Sequence, residues 1–158
     1  MAESKERNIT RKIIIAVDGS QISMDAFKWY AERLHQEGDY VVVLYTPEFR
    51  NLTHVSVMAA DMSLVQKIVD DEKQRTDALL KKMRELMKTS EVQGEAKQSQ
   101  GDPGEQIVEA ANELDASLII TGSRGLGTLR RTFLGSVSDY VVHHAHIPVL
   151  VYKPEHKE

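Results

Sequence analysis

Short apolar runs alternate with longer amphipathic stretches along most of the chain. Residues 12–18 (KIIIAVD) form a continuous β-branched run, which predicts a strand buried on both faces. Residues 40–46 (YVVVLYT) predict a second such strand, and residues 117–121 (SLIIT) and 149–153 (VLVYK) predict two more. The stretch 91–99 has little apolar character and therefore predicts a weak strand at a sheet edge.

Helical periodicity separates these strands. A long helix is predicted from about residue 61 to residue 88, with its first two turns extending past the sheet. Asp102 and Pro103 have the residue types that begin a third helix, and a fourth is expected from Gly135. The first helix is indicated by apolar and small residues at the spacing of one helix face, which are Ser23, Ala26, Phe27, Tyr30 and Leu34.

The alternation of strands and helices predicts one α/β domain over residues 1–158, with flexible ends at 1–11 and 154–158. The expected architecture is a doubly wound, five-stranded parallel sheet in the order 3-2-1-4-5, with helices on both faces. We prefer this order because it places the loops after strands one and four together at the switch point of the sheet. Residues 47–60 show no clear period and are expected to form a long loop.

Composition narrows the possible functions. The net charge of −4 gives no electrostatic support for a nucleic-acid partner. The absence of cysteine excludes disulfides, thiolate zinc sites and a thiol nucleophile. The apolar runs are too short to span a bilayer, and the polar start of the chain has no signal-peptide pattern. We therefore expect a cytoplasmic protein with no membrane partner.

The clearest candidate chemistry lies in residues 121–136, TGSRGLGTLRRTFLGS. Gly122 and Gly125 would let backbone N–H groups turn toward an anion without a Cβ in the way. The start of the following helix would offer free amides and a favourable dipole for negative charge. Three arginines raise the local positive potential, and two serines add hydroxyl donors; these residues are Arg124, Arg130, Arg131, Ser136 and Ser138.

A purely structural interpretation of the same stretch stays open. Ser136 and Asp139 have the spacing of a capping box, which would use the serine hydroxyl within its own helix. The glycines could simply form a turn after the strand. Other phosphate loops are missing: there is no G-x4-GK[ST] motif, and the partial dinucleotide pattern at 125–130 lacks its third glycine and follows the wrong strand.

The spacing Gly122-x2-Gly125-x9-Gly135-Ser136 resembles the universal stress protein family, and specifically its ATP-binding subgroup with G-x2-G-x9-G-[ST]. The segments IIIAVDGSQIS, GDPGEQIVEAANELDASLIITGSRGLG and IPVLVYK also resemble that family, so the likeness covers nearly the whole chain. The resemblance implies an ATP, AMP or ADP ligand. It also implies a homodimer through the last strand, at Val149 to Val151, although that strand could be simply the last strand of the core.

The resemblance further implies the binding residues. Asp18 matches an acidic residue on the ribose or adenine side, and Thr46 matches a residue whose backbone holds adenine. The glycine loop would approach the ribose and phosphates, and the helix start would hold the phosphate tail. The expected nucleotide-binding set is Ala16, Val17, Asp18, Thr46, Gly122, Arg124, Gly125, Gly135, Ser136, Val137 and Ser138.

Three functional hypotheses follow. The first is an ATP-binding stress-response or signalling protein that acts by binding, because neither His nor Glu adjoins the glycine loop as a base. The second is a slow Mg²⁺-dependent ATPase or nucleotide phosphotransferase, in which Asp18 would hold the metal bridging the phosphates. The third is an interaction module without nucleotide. No catalytic residue is assigned, and His143, His144 and His146 do not share one helix face as metal ligands would.

Overall fold

The computed structural model describes residues 8–48, 62–124 and 134–154. Within these ranges five strands and four helices alternate along the chain, as the sequence predicts. They are β1 (Arg11–Val17), α1 (Gln21–Arg33), β2 (Asp39–Tyr45), α2 (Met62–Thr89), β3 (Gly94–Gln98), α3 (Pro103–Glu113), β4 (Leu118–Gly122), α4 (Ser136–His144) and β5 (Val149–Tyr152).

All five strands form one parallel sheet in the order β3-β2-β1-β4-β5, which confirms the predicted order. β1 is central: Ile15 pairs with Val43 of β2 on one side and with Ile120 of β4 on the other. The winding direction reverses between β1 and β4, so the loops that follow these strands meet at the same edge of the sheet. We call this the carboxyl edge.

Alternate residues of β1 pack on opposite faces of the sheet. Ile13 and Ile15 belong to the apolar cluster beneath α1 and α2, whereas Ile14 and Ala16 belong to the cluster beneath α3 and α4. Burial on both faces explains why β1 and β2 are apolar at nearly every position. β3 is mostly exposed and lies at an edge, as its weaker pattern predicts.

The N-termini of α1 and α3 are capped by the side chains of the residues that precede them. Ser20 precedes α1, and its Oγ accepts a hydrogen bond from the N–H of Ser23 at 3.2 Å. Asp102 precedes α3, and its Oδ1 accepts from the N–H of Glu105 at 3.2 Å. The predicted cap at Asp102 is therefore confirmed, with Pro103 in the first turn of the helix.

α2 extends beyond the sheet at its N-terminal end. Leu80, Met83 and Met87 are buried against the sheet, whereas Met62 and Leu64 are 78% and 48% exposed. This agrees with the expectation that the first two turns project past the sheet. The predicted loop at 47–60 falls almost wholly outside the described residues, since its structure is given only at 47 and 48.

The opposite, amino edge of the sheet holds a closed polar network that the sequence did not predict. Arg11 lies in β1, one residue before the predicted start of the strand and within the segment expected to be a flexible end. Its Nε and Nη2 donate to the two carboxylate oxygens of Asp39 at 2.6 and 2.7 Å. The hydroxyl of Tyr30 and the N–H of Gln36 donate to the same carboxylate, at 2.6 and 3.0 Å.

The network changes the acidities of its members. Desolvation alone would raise the pKa of Asp39, but the hydrogen bonds from Arg11, Tyr30 and Gln36 outweigh it and lower that pKa below 3.8. Burial, and then donation to the Asp39 carboxylate, raise the pKa of the Tyr30 hydroxyl. The donors and acceptors at this edge are thus satisfied by one another.

Candidate functional site

Buried hydroxyl groups gather at the carboxyl edge of the sheet. Eight polar or charged residues are buried in the described part of the chain, and six of them lie in or just after strand ends, or in the first turn of the helix that follows. These six are Ser20, Ser23, Thr46, Thr121, Ser123 and Ser138. Such a collection of hydrogen-bonding groups is typical of a polar ligand site at a switch point.

The loop after β1 is fixed by its own side chains. Oδ1 of Asp18 accepts a hydrogen bond from the N–H of Ser20 at 2.9 Å, and Gly19 between them has a φ of +84°. A left-handed residue at this position favours glycine because other side chains would be strained there. The Asp18 carboxylate is therefore held at the end of β1, and it is partly exposed.

Thr46 lies beside Asp18 on the neighbouring strand. Val17 pairs with Tyr45, so the residues that follow each of them are adjacent at the carboxyl edge. The hydroxyl of Thr46 bonds to the hydroxyl of Ser99 at 2.6 Å, which uses the side chain in holding the end of β2 to the residue after β3. The role expected of Thr46 requires only its backbone, so this bond is compatible with it.

The two predicted pocket-wall residues point to opposite faces of the sheet. Val17 packs in the cluster beneath α1 and α2, whereas Ala16 packs in the cluster beneath α3 and α4. Successive residues of a strand alternate in direction, so at most one of these two side chains can face a ligand on a given side of the sheet. Only Ala16 points to the same side as α4.

Gly122 is required by packing against α1. A Cβ at this position would lie 2.8 Å from Cγ2 of Ile22, in the first turn of α1. Its backbone pairs with Tyr152 of β5 inside the sheet. Sequence analysis explained Gly122 by the close approach of an anion. The contact with Ile22 is a steric reason for glycine that applies without any ligand.

Ser123 joins three parts of the site through its backbone. Its N–H donates to the carbonyl of Tyr152 in β5 at 2.8 Å. Its carbonyl accepts from the N–H of Gly135 at 2.7 Å and from Oγ of Ser138 at 3.3 Å. The end of β4 therefore positions the first turn of α4 directly at the carboxyl edge.

The start of α4 differs from the alternative capping interpretation. Gly135 is the N-cap, with φ −63° and ψ 157°, and no side chain of the described residues caps the helix. Ser136 is the first helical residue and is exposed, so the capping box with Asp139 does not form. The N–H groups of Ser136, Val137 and Ser138 have no carbonyl within the helix to accept them. Within the described residues this helix start therefore has no side-chain cap, unlike those of α1 and α3.

The Ser138 hydroxyl is already used within the protein. Its single proton is directed to the carbonyl of Gly135 at 3.0 Å and to that of Ser123 at 3.3 Å. The expectation that this hydroxyl donates to a ligand therefore conflicts with the geometry. The backbone N–H of Ser138, by contrast, has no acceptor within the helix and could still donate to a ligand. Arg124 directly follows Ser123, but Gly125, Arg130 and Arg131 lie outside the described residues.

Some residues at this edge escaped sequence reasoning. Ser123 falls at a variable position of the glycine motif, and Ser99 and Ile22 carry no motif at all. The hydroxyl of Tyr45 donates to Glu72 of α2 at 2.9 Å; burial first, and then this bond and the nearby charge, raise the pKa of Tyr45 to about 12. Because β2 is buried on both faces, its sequence pattern does not indicate which way Tyr45 points.

A metal centre is not formed by the described residues. No group of three or more His, Asp or Glu in them is placed to hold a metal ion. His143 and His144 each direct Nδ1 to the carbonyl four residues earlier, at 2.8 Å, and His144 stacks on Tyr140.

None of the helices in the described ranges is long and apolar enough to cross a membrane.

The whole fold matches a known family. The model of the universal stress protein family matches residues 10–153. The chain belongs to the universal stress protein family. A universal stress protein of Methanocaldococcus jannaschii is 32% identical over 152 residues, which cover 96% of this chain and 86% of that protein.

Solved structures of the family share the fold. A universal stress protein family structure from Arabidopsis thaliana, with AMP bound, is 22% identical, has a TM-score of 0.67 and covers 92% of both chains. A universal stress protein in complex with cAMP is 20% identical, has a TM-score of 0.62 and covers 90% of this chain and 95% of that one. At these identities the likeness shows the fold.

Proposed function

We propose that this universal stress protein binds an adenine nucleotide at the carboxyl edge, with its phosphates at the start of α4. The observation that carries the proposal is the uncapped first turn of α4, held beside β4 by Ser123. The N–H groups of this turn and the helix dipole together favour one negative charge there by about 0.3–1 kcal/mol at an exposed position. ATP is the ligand we assign, in line with the glycine spacing 122-125-135.

The remaining site residues fit the rest of the nucleotide. Asp18 and Thr46 end the adjacent strands β1 and β2, on the sugar and base side of the proposed ligand. The family members solved with AMP and with cAMP support an adenine nucleotide as the ligand class. Mg²⁺ would be held mainly by phosphate oxygens, with Asp18 as the protein ligand, because Mg²⁺ commonly binds one or two carboxylates together with phosphates.

We propose that the protein acts through nucleotide occupancy in a stress response. The buried polar side chains at the carboxyl edge are hydroxyls, of which Ser20, Thr46 and Ser138 already bond within the protein. These bonds hold the strand ends and helix starts in place, whereas activation of water for hydrolysis needs a positioned base. A ligand that favours one conformation can then change what the protein contacts.

The test is direct. Freshly purified protein is denatured, the supernatant is chromatographed for nucleotides, and apo protein is titrated calorimetrically with ATP and AMP. We expect released adenine nucleotide or saturable binding, with hydrolysis at background. The absence of both nucleotide and binding heat at millimolar ATP would overturn the proposal. Turnover by clean protein that is lost in Asp18→Ala would instead favour the Mg²⁺-dependent ATPase or phosphotransferase.

We also propose a homodimer through β5. The N–H of Ile119 donates to Pro148 and that of Ser123 to Tyr152, so the even-numbered residues of β5 face β4. Val149 and Val151 consequently direct their N–H and C=O groups to the free side of the sheet. An apolar, open edge of this kind is suited to pairing with the same strand of a second copy.

Proline at two neighbouring positions tests this dimer. Val151→Pro removes an outward N–H and should give a folded single chain of 17.8 kDa in light scattering. Leu150→Pro removes an N–H that faces β4 and should instead lower stability. A wild-type chain that is monomeric, or a Val151→Pro variant that remains dimeric, would contradict the β5 interface.

A further inference from the structure

β3 is the edge strand at the opposite side of the sheet from β5, and one of its outward backbone groups is bonded by the protein itself. The N–H of Val41 donates to Gln93 and that of Ser99 to Tyr45, so odd-numbered residues from 93 to 99 face β2. Alternation then directs the N–H and C=O of Ala96 to the free side. Ala96 is nevertheless only 5% exposed.

Arg84 of α2 reaches the outward carbonyl of Ala96, whose side chain packs in the cluster beneath α2. Its Nη2 donates to the carbonyl of Ala96 at 3.2 Å. Arg84 borders a groove between the C-terminal half of α2 and β3, which is also lined by Met87, Lys88 and Val92. A guanidinium at this position occupies the acceptor that an incoming strand would need, and it places a charge where that strand would lie.

We propose that Arg84 determines which edge of the sheet self-associates: it closes β3 to a second copy of the chain and so restricts pairing to β5. β5 carries four consecutive apolar or aromatic residues, all half-buried. β3 carries the sequence GEAKQ, with Glu95 and Lys97 paired at 3.8 Å. The two edge strands therefore differ in their own side chains. Among the hydrogen bonds described, they also differ in that a side chain bonds an outward carbonyl of β3 but none of β5.

The assignment rests in part on the proposed β5 dimer, so the experiment uses a background in which β5 is closed. In Val151→Pro, Arg84→Met retains a long apolar side chain but removes the donor to Ala96. We expect this double variant to self-associate, with a weight-average mass that rises at least about twofold as concentration increases. Sedimentation velocity and light scattering measure the effect, and circular dichroism verifies folding. If the double variant unfolds, Arg84→Leu in the same background replaces it, because leucine also has no donor.

Two further variants test whether association depends on Arg84 itself and on the β3 edge. Lys88→Met removes a cation from the same groove but no bond to β3, and it should leave the Val151→Pro chain monomeric. Ala96→Pro removes the outward N–H of β3, and it should return the associating double variant to a single chain. The proposal is overturned if Arg84→Met stays monomeric, if Lys88→Met associates equally, or if Ala96→Pro fails to reverse association.

A failure of the β5 dimer would be recognised separately. Wild-type protein would then already be a single chain, and Arg84→Met alone would test the β3 edge. Association of that single variant would support the role of Arg84 without the β5 interface. Its absence would overturn that role.

Discussion

The two ends of the parallel sheet treat polar groups in opposite ways. At the amino edge, Asp39 receives hydrogen bonds from Arg11, Tyr30 and Gln36, so every partner is supplied by the fold. At the carboxyl edge, α4 begins at Gly135 with no side-chain cap. The hydrogen bonds to Asp39 thus stabilise the amino edge, whereas the start of α4 has no side-chain cap among the described residues.

The largest effect should come from breaking the amino edge. Asp39→Asn removes the negative charge that balances Arg11. It also leaves one donor to residue 39 poorly paired, and the side chain of Asp39 is only 1% exposed. We expect a loss of about 3 kcal/mol in the free energy of unfolding, measured by urea titration. Nucleotide affinity should be unchanged per folded molecule, because the network lies at the far end of the sheet. An affinity loss beyond about threefold would contradict the separation of the two edges.

The second prediction concerns steric packing at the carboxyl edge. Gly122→Ala places a Cβ 2.8 Å from Ile22 Cγ2 and should cost about 2 kcal/mol through overpacking. Ile22→Ala removes that methyl group, so the double variant should recover about 1 kcal/mol relative to additivity. Urea unfolding of the four proteins in this cycle measures the coupling. Strict additivity would show that the contact between Gly122 and Ile22 is not the reason for the glycine.

The third prediction concerns a side-chain cap introduced at the start of α4. Gly135→Asp gives the helix a capping carboxylate, in a backbone conformation that any residue adopts. We expect helix stability to rise by up to about 1 kcal/mol and nucleotide affinity to fall at least about tenfold, since the carboxylate competes with the phosphates.

The matched control is at the start of α3. Asp102→Gly removes the only side-chain cap described there, so it should slightly reduce stability and leave nucleotide affinity unchanged. Calorimetric titration with ATP compares the two variants. Equal affinity in Gly135→Asp and wild type would remove α4 from the proposed site.

The smallest effect is the acid dependence of stability. Because the folded pKa of Asp39 is lowered, its contribution is fully present above the unfolded pKa of 3.8 and is lost as pH falls through the folded value. Wild type should therefore lose stability more steeply than Asp39→Asn as the pH falls below 3.8. Parallel slopes of urea midpoint against pH in the two proteins would refute the lowered pKa.

Sequence reasoning predicted the fold well and the site in part. Apolar runs and helical periods placed every described strand and helix to within a few residues, and the residue types at Asp102 and Pro103 predicted the start of α3. The two loops proposed to bind the ligand were expected at one edge, and the order of the sheet brings their described parts there. The burial of Ser138 and the opposite directions of Ala16 and Val17 were missed, because they depend on packing across the sheet.

What the sequence determined by itself is local: periodicity, turn residues and caps act over a few residues, and together they specify an alternating α/β chain. The tertiary structure alone decided contacts between distant positions. Arg11 meets Asp39, Gly122 meets Ile22, and Arg84 reaches Ala96. No local pattern encodes these pairs, because each exists only after the strands have paired and the helices have packed on the sheet.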